Sequence, residues 1–375
     1  MKITKFLALM CAAIAFVGCD DSNPDESGKK PEPPQVTGNL ELTASVEIGE
    51  MNQPITFTVM QGEDEASMVD VTADCTIYNK ETYEQVSNPF TPTLDGVYSF
   101  YAVKGPSVSP TISITVKEAV PVLPEDSNAS STDFKHRALI IDHTGTACGN
   151  CPRVFSAIKL LEGTKYHDWF YEAFAHSYTS SDPASSDDAY LVSSFCGVRG
   201  YPTVTGNFYT DIDSWGGGSV NVISSNLMEF LDGAHKEKAD VGISASTVAL
   251  SKKVSVAVEV KSGKTQEYKI ACWLLEDNIY GQQNGASEAW HNTHNNAIRK
   301  ITGVNNSNIT GNSIGVVNEG ETWSDIIEIS PLGNKWVREN LEVMVIVTAA
   351  NESGKFDVAN VAICPINSTV EYAYN

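Results

Sequence analysis

Two cysteines three positions apart, Cys148-Gly149-Asn150-Cys151, have the spacing in this 375-residue chain that best suits chemistry. A dithiol exchanges electrons when one sulfur is an accessible thiolate and the other can reach back to resolve a mixed disulfide. Two intervening residues at a helix start supply that reach. An apolar stretch, ALIID, precedes the pair, and Val154, Ile158 and Leu161 recur behind it at helical spacing with Phe155 alongside. The pattern predicts a strand, a short loop and a helix whose N-terminus carries Cys148, where backbone N–H groups and the helix dipole stabilise a thiolate. Asp142 lies six residues before Cys148, in the strand. Buried there without a cationic partner, its carboxyl is expected to titrate above the usual range, which suits a proton acceptor near neutrality. The opposing reading of the pair is a permanent disulfide on a scaffold used for binding.

Other reactive residues have bland readings. His143 alternates to the strand face opposite Asp142 and reads as structural. Cys196 reads as a packed thiol, and Cys75 as a buried thiol in an alternating strand. Trp290-His291-Asn292-Thr293-His294 spaces two histidines for one helical face, but no acidic or cysteine ligand completes a site. No second Cys or His pair at finger spacing accompanies the dithiol, so no metal is expected. No cofactor is expected either. Trp215-Gly216-Gly217-Gly218 reads as a flexible turn ahead of a helix centred on Ile223, Leu227 and Phe230, and it lacks the lysine and spacing of a phosphate loop. Cys272 and Cys364 fall in expected strands and are either bridged or free, since spacing does not fix connectivity.

The elements that must hold these residues follow from pattern. Residues 135–237 alternate strand and helix patterns, an α/β signature. Residues 36–118 show short β-rich runs such as LELTASV, ITFTV and VYSFYAV between Gly, Pro and Asn turns, which predict a small β-sandwich. Across 238–375 β patterns return, with Val254, Val256, Val258 and Val260 alternating along one strand, and a second β-sandwich is expected. A Pro-, Ser- and acid-containing linker spans 119–134. No internal repeat relates the two β regions. The expected fold class is multidomain, α/β plus all-β.

The N-terminus has the layout of a secretory signal over 1–18: Lys2 and Lys5, an apolar stretch from Phe6 to Val17, then Gly18-Cys19. The stretch is too short for a membrane span. Gly18-Cys19 resembles the lipobox of bacterial lipoproteins, which implies cleavage before Cys19 and a lipid on that cysteine as the membrane anchor. Residues 19–35 then form a lipidated, solvated tether. Its first acids, Asp20 and Asp21, look like the surface-export signals of Bacteroidetes lipoproteins, while the same Asp20 resembles an inner-membrane retention signal in enterobacteria, so the address depends on the organism. With 47 acidic against 25 basic residues, the formal charge of -22 disfavours nucleic acid and anionic lipid as partners. Oligomeric state is not written in the sequence.

The run ALIIDHTGTACGNCP resembles thioredoxins in its order of strand, acid, loop, dithiol and helix. The resemblance implies that Asp142 accepts the proton of Cys151. Downstream, Gly197-Val198-Arg199-Gly200-Tyr201-Pro202-Thr203 is similar to the thioredoxin segment with a cis-proline packed on the dithiol; Pro202 takes that place, and the Tyr201 backbone is placed to pair with an extended substrate. Three positions depart from that family. Ala147 stands where a tryptophan is usual and Asn150 where a proline is usual, while Pro152 follows the second cysteine, where a first helical turn needs no N–H. Asp95-Gly96-Val97-Tyr98-Ser99-Phe100 likewise resembles the tyrosine corner of Ig-like domains, which implies a bond from the Tyr98 hydroxyl to an upstream backbone group. The whole layout is similar to a Bacteroidetes family of outer membrane lipoproteins related to outer membrane protein twenty-eight, over roughly residues 135–370.

The expected function is that of an outer-membrane or cell-surface lipoprotein whose thioredoxin-like domain exchanges thiols and disulfides with exported proteins. Cys148 attacks, Cys151 resolves, Asp142 handles the proton and Pro202 shapes the groove. The rival expectation is a non-enzymatic surface module for adhesion or ligand capture, with Cys148 and Cys151 in a structural disulfide.

Overall fold

A computed structural model describes residues 38–375. The expected signal, Cys19 and the tether lie outside the described residues. The chain is mostly β, arranged in several sheets, with three α-helices among the described residues.

Near the N-terminus, period-2 alternation builds two facing sheets. In Asn39–Ala44, Leu40 and Leu42 are buried while Asn39, Glu41 and Thr43 are exposed. This strand joins Phe57–Gly62 and Val69–Asp70 in a three-stranded sheet, opposite a five-stranded sheet built around Gly96–Lys104. Phe57, Val59, Ile77, Phe100 and Ile114 fill the shared core. The Tyr98 hydroxyl donates to the Leu94 carbonyl at 2.9 Å, the upstream bond expected of it. Cys75 departs from expectation. It ends a 3₁₀ turn, Thr72–Asp74, just before the strand Thr76–Asn79, and is half-buried. This unit is pinned to the rest of the chain by Leu250, at the tip of the hairpin between Val241–Ala249 and Val254–Ser262, which is buried in the same core. Asp95 accepts from the Ser251 hydroxyl at 2.9 Å, and Arg338 donates to the Leu250 and Ser251 carbonyls.

The dithiol region is built on a nine-stranded sheet. Its order runs Thr210–Ile212, Thr203–Gly206, Ala138–Thr144, Phe170–His176, Ala297–Ile301, Gln266–Glu276, Leu341–Ala350, Phe356–Pro365, with Asn312–Val317 also pairing Gln266–Glu276. Ala138–Thr144 runs parallel to Phe170–His176 and antiparallel to Thr203–Gly206. Two helices, α1 (Pro152–Lys159) and α3 (Val220–Ala234), cover one face, packing Val154, Ile158, Ile223 and Leu227 on Ala138 and Ile140. On the other face α2 (Asp187–Phe195) packs Ala189 and Val192 on Leu139 and Ile141. Ser186 caps α2, its hydroxyl accepting from Ala189 N–H at 3.0 Å, and Asp187 and Asp188 sit in the favourable first turn.

The sheet corrects the expected separation at 237/238. It continues from Phe170–His176 to Ala297–Ile301, where Phe174 N–H donates to Asn296 at 2.9 Å and Phe174 pairs with Ala297. A four-stranded sheet of Thr322–Ile329, Val254–Ser262, Val241–Ala249 and Thr369–Val370 then packs on the far end of the nine-stranded one. The break at 238 is therefore a change of local pattern rather than of hydrogen bonding. Cys272 and Cys364 are both free and buried. Their strands each pair with Leu341–Ala350, which lies between them. Two strand spacings are about 9–10 Å, beyond the roughly 7 Å a disulfide can span.

Candidate active site

Every residue of Ala138–Thr144 is buried, so strand alternation decides what each side chain meets. Ala138, Ile140 and Asp142 face α1 and α3, while Leu139, Ile141 and His143 face α2. A loop from Gly145 carries Cys148 up to α1, which begins at Pro152 with Cys151 as its cap residue. Cys148 thus sits in the turn before the helix rather than in its first turn. The two sulfurs are bonded, with Cα atoms 5.5 Å apart. Cys148 keeps 5% of its surface exposed and Cys151 none. Both pack on Phe155, with Phe174 and Tyr201 alongside.

Asp142 is wholly buried, and neither carboxylate oxygen has a hydrogen-bond partner. Burial, reinforced by the negative charge of nearby Glu172, drives its carboxyl well above the usual carboxylate range. Glu172 lies on the adjacent strand, opposite Ile140 and two residues from Phe174, the register partner of Asp142. Burial pushes Glu172 itself up to about 7, against a hydrogen bond from Asn296 that favours its charged form. His143 is equally buried and fully engaged, with Nδ1 2.8 Å from Ser193 Oγ and Nε2 3.0 Å from Thr205 Oγ1. Burial drives it down to about 3, so it is neutral. Cys196 is a half-buried thiol pushed up to about 11 by its burial, and so a poor nucleophile.

The Tyr201–Pro202 bond is cis, and Pro202 is buried. The Tyr201 hydroxyl donates to the Ser177 carbonyl at 2.9 Å, and its ring meets Tyr178 edge-on at 5.0 Å. Ser214 donates to the Pro202 carbonyl at 3.1 Å. Trp215 follows directly, 55% exposed, its N–H and that of Gly216 both donating to Asp213. The dithiol loop is fastened from below by Asp182, whose carboxylate accepts from Thr146 N–H at 2.7 Å and lies 2.8 Å from His176 Nδ1. Burial of Asp182 opposes its ionisation, but these hydrogen bonds and the His176 charge prevail and hold it near 2.

One part of the site has no counterpart in the sequence reading. The connection around Gly281–Asn295 straps the outside of the dithiol loop. Gln283 Nε2 donates to the carbonyls of Cys148 at 2.8 Å and Gly145 at 3.2 Å, and Asn284 N–H donates to Thr146 at 2.8 Å. Gly285 lies so close that a side chain there would meet the Gly149 carbonyl oxygen at 2.1 Å. Trp290-His291-Asn292-Thr293-His294 is the far end of this strap. It forms a 3₁₀ turn, Ala289–Asn292, and a short strand, Thr293–His294, in place of a helical face. His291 accepts from Ser287 and Glu288 N–H groups through Nδ1 and lies 3.1 Å from Ser156 Oγ of α1 through Nε2. Lys159 sits over Trp290 at 4.5 Å. Its length and lack of an apolar pattern were the available signals, since long connections in compact units usually carry a role. No cluster of three or more potential metal ligands occurs among the described residues.

Between strap and α1 lies a cavity of about 140 Å³ lined by Phe155, Glu172, Phe174, His176, Trp290 and His294. A larger cleft of about 780 Å³ lies at the C-terminal end of α3, bordered by His136, Phe230 and Asp357. It shares no residue with the dithiol cluster.

Residues 193–369 match the model of a family described as outer membrane protein Omp28. The match covers just under half of the chain. It begins downstream of the dithiol, so Asp142, Cys148 and Cys151 lie outside it while Tyr201 and Pro202 lie inside. The resemblance expected over residues 135–370 is thus carried by a shorter segment, without the Cys148–Cys151 motif. HBP35 of Porphyromonas gingivalis has a structure similar to this one, with a TM-score of 0.49 at 15% identity over 63% of this chain and 77% of that one. Domains 4–9 of surface layer protein SbsC align with a TM-score of 0.19 at 10% identity, over 89% of this chain and 51% of that one. No curated protein matches the chain.

Proposed function

We propose that this is an outer-membrane or cell-surface protein that exchanges thiols and disulfides with exported proteins through Cys148 and Cys151, on a thioredoxin-like α/β unit. The outer-membrane or cell-surface location agrees with the match to an outer membrane protein family. The observation that carries the exchange reading is Asp142, a wholly buried carboxyl without a partner, on the strand face that α1 covers. Such a group costs stability, which argues for a chemical use. The bonded cysteines at the start of α1 and Tyr201 packed beside them support the same reading.

In the reduced protein, the Cys148 thiolate attacks one sulfur of a partner disulfide. A bond forms between Cys148 and that sulfur, and the partner's other sulfur leaves as a thiolate. Cys151 then gives its proton to the Asp142 carboxylate and attacks Cys148 Sγ. The Cys148–Cys151 bond forms and the partner's first sulfur departs as a thiolate, so the partner gains two electrons and the protein loses two. The reverse sequence, from the bonded form in the structure, oxidises a partner dithiol.

Equilibration of the full chain against defined thiol buffers tests this. A reduction potential between about -270 and -120 mV is expected, and one below about -300 mV would mark a structural bond and sink the proposal. Cys151→Ser should accumulate mixed disulfides in the envelope. The second reading, a binding or adhesion module with a permanent disulfide, is favoured by one observation: the family match begins beyond the dithiol. The same potential decides between them.

Two further expectations belong to the same proposal, the first of them on a residue outside the described ones. A lipid on Cys19 would tether the protein, and loss of labelled fatty acid incorporation in Cys19→Ala checks it. The two-sheet N-terminal unit, with Tyr98 bonded back to Leu94, is read as an Ig-like spacer that holds the site away from the membrane.

A further inference from the structure

The charge around the dithiol runs against that of the molecule. The chain carries a formal charge of -22 and five arginines. Three of these are spoken for. Arg299 is buried against Glu276, Arg338 donates to the Leu250 and Ser251 carbonyls, and Arg137 lies over Tyr171. The other two flank the dithiol. Arg153 is two residues past Cys151, its guanidinium bonded to Asn150 Oδ1 at 2.7 Å and lying against Gly218, where a side chain would come within 3.3 Å of it. Arg199 is exposed, two residues before Tyr201. Neither the dithiol segment from Gly145 to Arg153 nor the loop from Gly197 to Thr203 contains an acidic residue. Of the nearby acids, Asp142 and Asp182 are buried, and Asp213 is held by the N–H groups of Trp215 and Gly216. Asp211 borders the cleft beside Arg199, and Glu288 is exposed on the strap.

The approach to the sulfurs is also one-sided. The strap seats Gly285 on Gly149 and Gln283 on the Cys148 carbonyl, which closes that flank. The flank left open is rimmed by two exposed aromatic rings, Tyr178 (46% exposed) set edge-on against Tyr201, and Trp215 next to the residue that bonds Pro202. The dithiol loop itself carries no aromatic residue, and Tyr178 supplies one beside it: Gly145 in that loop packs directly on Tyr178.

We propose that the open flank receives acidic, extended segments of exported proteins that carry an aromatic or apolar residue beside the reacting cysteine. Arg153 and Arg199 supply the charge complement, and Tyr178 and Trp215 supply the apolar contacts. The proposal rests on the exchange reading for the identity of the partner as a thiol or disulfide, but docking itself is measurable without exchange.

Two measurements test it on the full chain. In the Cys148→Ser, Cys151→Ser variant, cysteine-free peptides with Asp-Tyr or Lys-Tyr flanks are titrated by fluorescence anisotropy. The acidic peptide should bind about tenfold more tightly at low salt, with the ratio falling toward one at about 0.5 M salt, where the screening length shrinks to a few ångströms. Arg199→Ala should lower the ratio, and Trp215→Ala should weaken both peptides. Equal binding of the two peptides, or a ratio unmoved by Arg199→Ala, overturns the proposal. In the wild-type chain, with Cys148 and Cys151 first reduced by dithiothreitol that is then removed, disulfide-bearing versions of the peptides and the uncharged bis(2-hydroxyethyl) disulfide are followed by stopped flow. Failure to react with any of them while the acidic peptide still binds preferentially would refute the exchange reading and leave the docking surface standing.

Discussion

On the α2 side of the Ala138–Thr144 strand, His143 places both ring nitrogens within hydrogen-bond distance of hydroxyls, from Ser193 and Thr205. One residue earlier and on the α1 side, Asp142 is just as buried and has no partner at all. A satisfied polar network in low dielectric specifies one packing arrangement, whereas an unsatisfied group costs about 1–3 kcal/mol. The same strand thus separates a face whose polar group is satisfied from one whose carboxyl is unpaired, the face to which the proposed exchange assigns the proton, and burial alone does not tell them apart.

The sharpest test of that contrast acts on the sulfurs above Asp142. Cys151→Ser should abolish multiple-turnover exchange, measured with an uncharged disulfide, while circular dichroism stays that of the wild type. Exchange that continues at the wild-type rate breaks the contrast at once. Next in size, His143→Ala should destabilise the fold by about 2–4 kcal/mol in chemical denaturation, because it opens a cavity and takes a hydrogen-bond partner from two buried hydroxyls. Its single-turnover exchange rate should stay near that of the wild type.

Asp142→Asn should act in the opposite direction, raising stability by about 1–3 kcal/mol at neutral pH while slowing exchange. The sign follows from linkage. The native carboxyl holds its proton well above the usual carboxylate range, whereas the unfolded one releases it near about 4. Wild-type stability therefore declines as pH rises from about 4 toward the native pKa, and is flat beyond it. The Asn variant lacks this decline, so its advantage should be small at pH 4 and full at alkaline pH. A constant advantage across that range would contradict the raised carboxyl. The smallest effect is expected of Glu172→Gln. Removing a negative neighbour should move the pH midpoint of exchange to lower pH, and an unmoved midpoint would mean that Glu172 is not felt at Asp142.

Local signals made much of this legible in the sequence. ALIID is a strand because it is apolar up to Asp142 and sheltered on both faces, and the periodicity of Val154 and Ile158 marks α1. Tyr98 finds its carbonyl four residues away, within reach of a short motif. The features that escaped are long-range. Gln283 meets the Cys148 carbonyl across 135 residues, and no local pattern encodes that contact. The sheet join at Phe174 and Ala297 pairs strands whose own sequences read the same whether or not they are neighbours. For Cys272 and Cys364, alternation identified strands, but only strand order shows that a third one lies between them.

The unbroken sheet has a practical consequence for anyone who wishes to isolate the dithiol unit. A fragment ending at residue 237 would strip Ala297–Ile301 from its neighbour and leave Phe170–His176 as a bare edge, with its N–H and C=O groups open to pairing with a second copy. It would also lose the strap over Gly149. Such a fragment should associate into aggregates, and the disulfide it presents would be more open to attack than the one in the whole molecule.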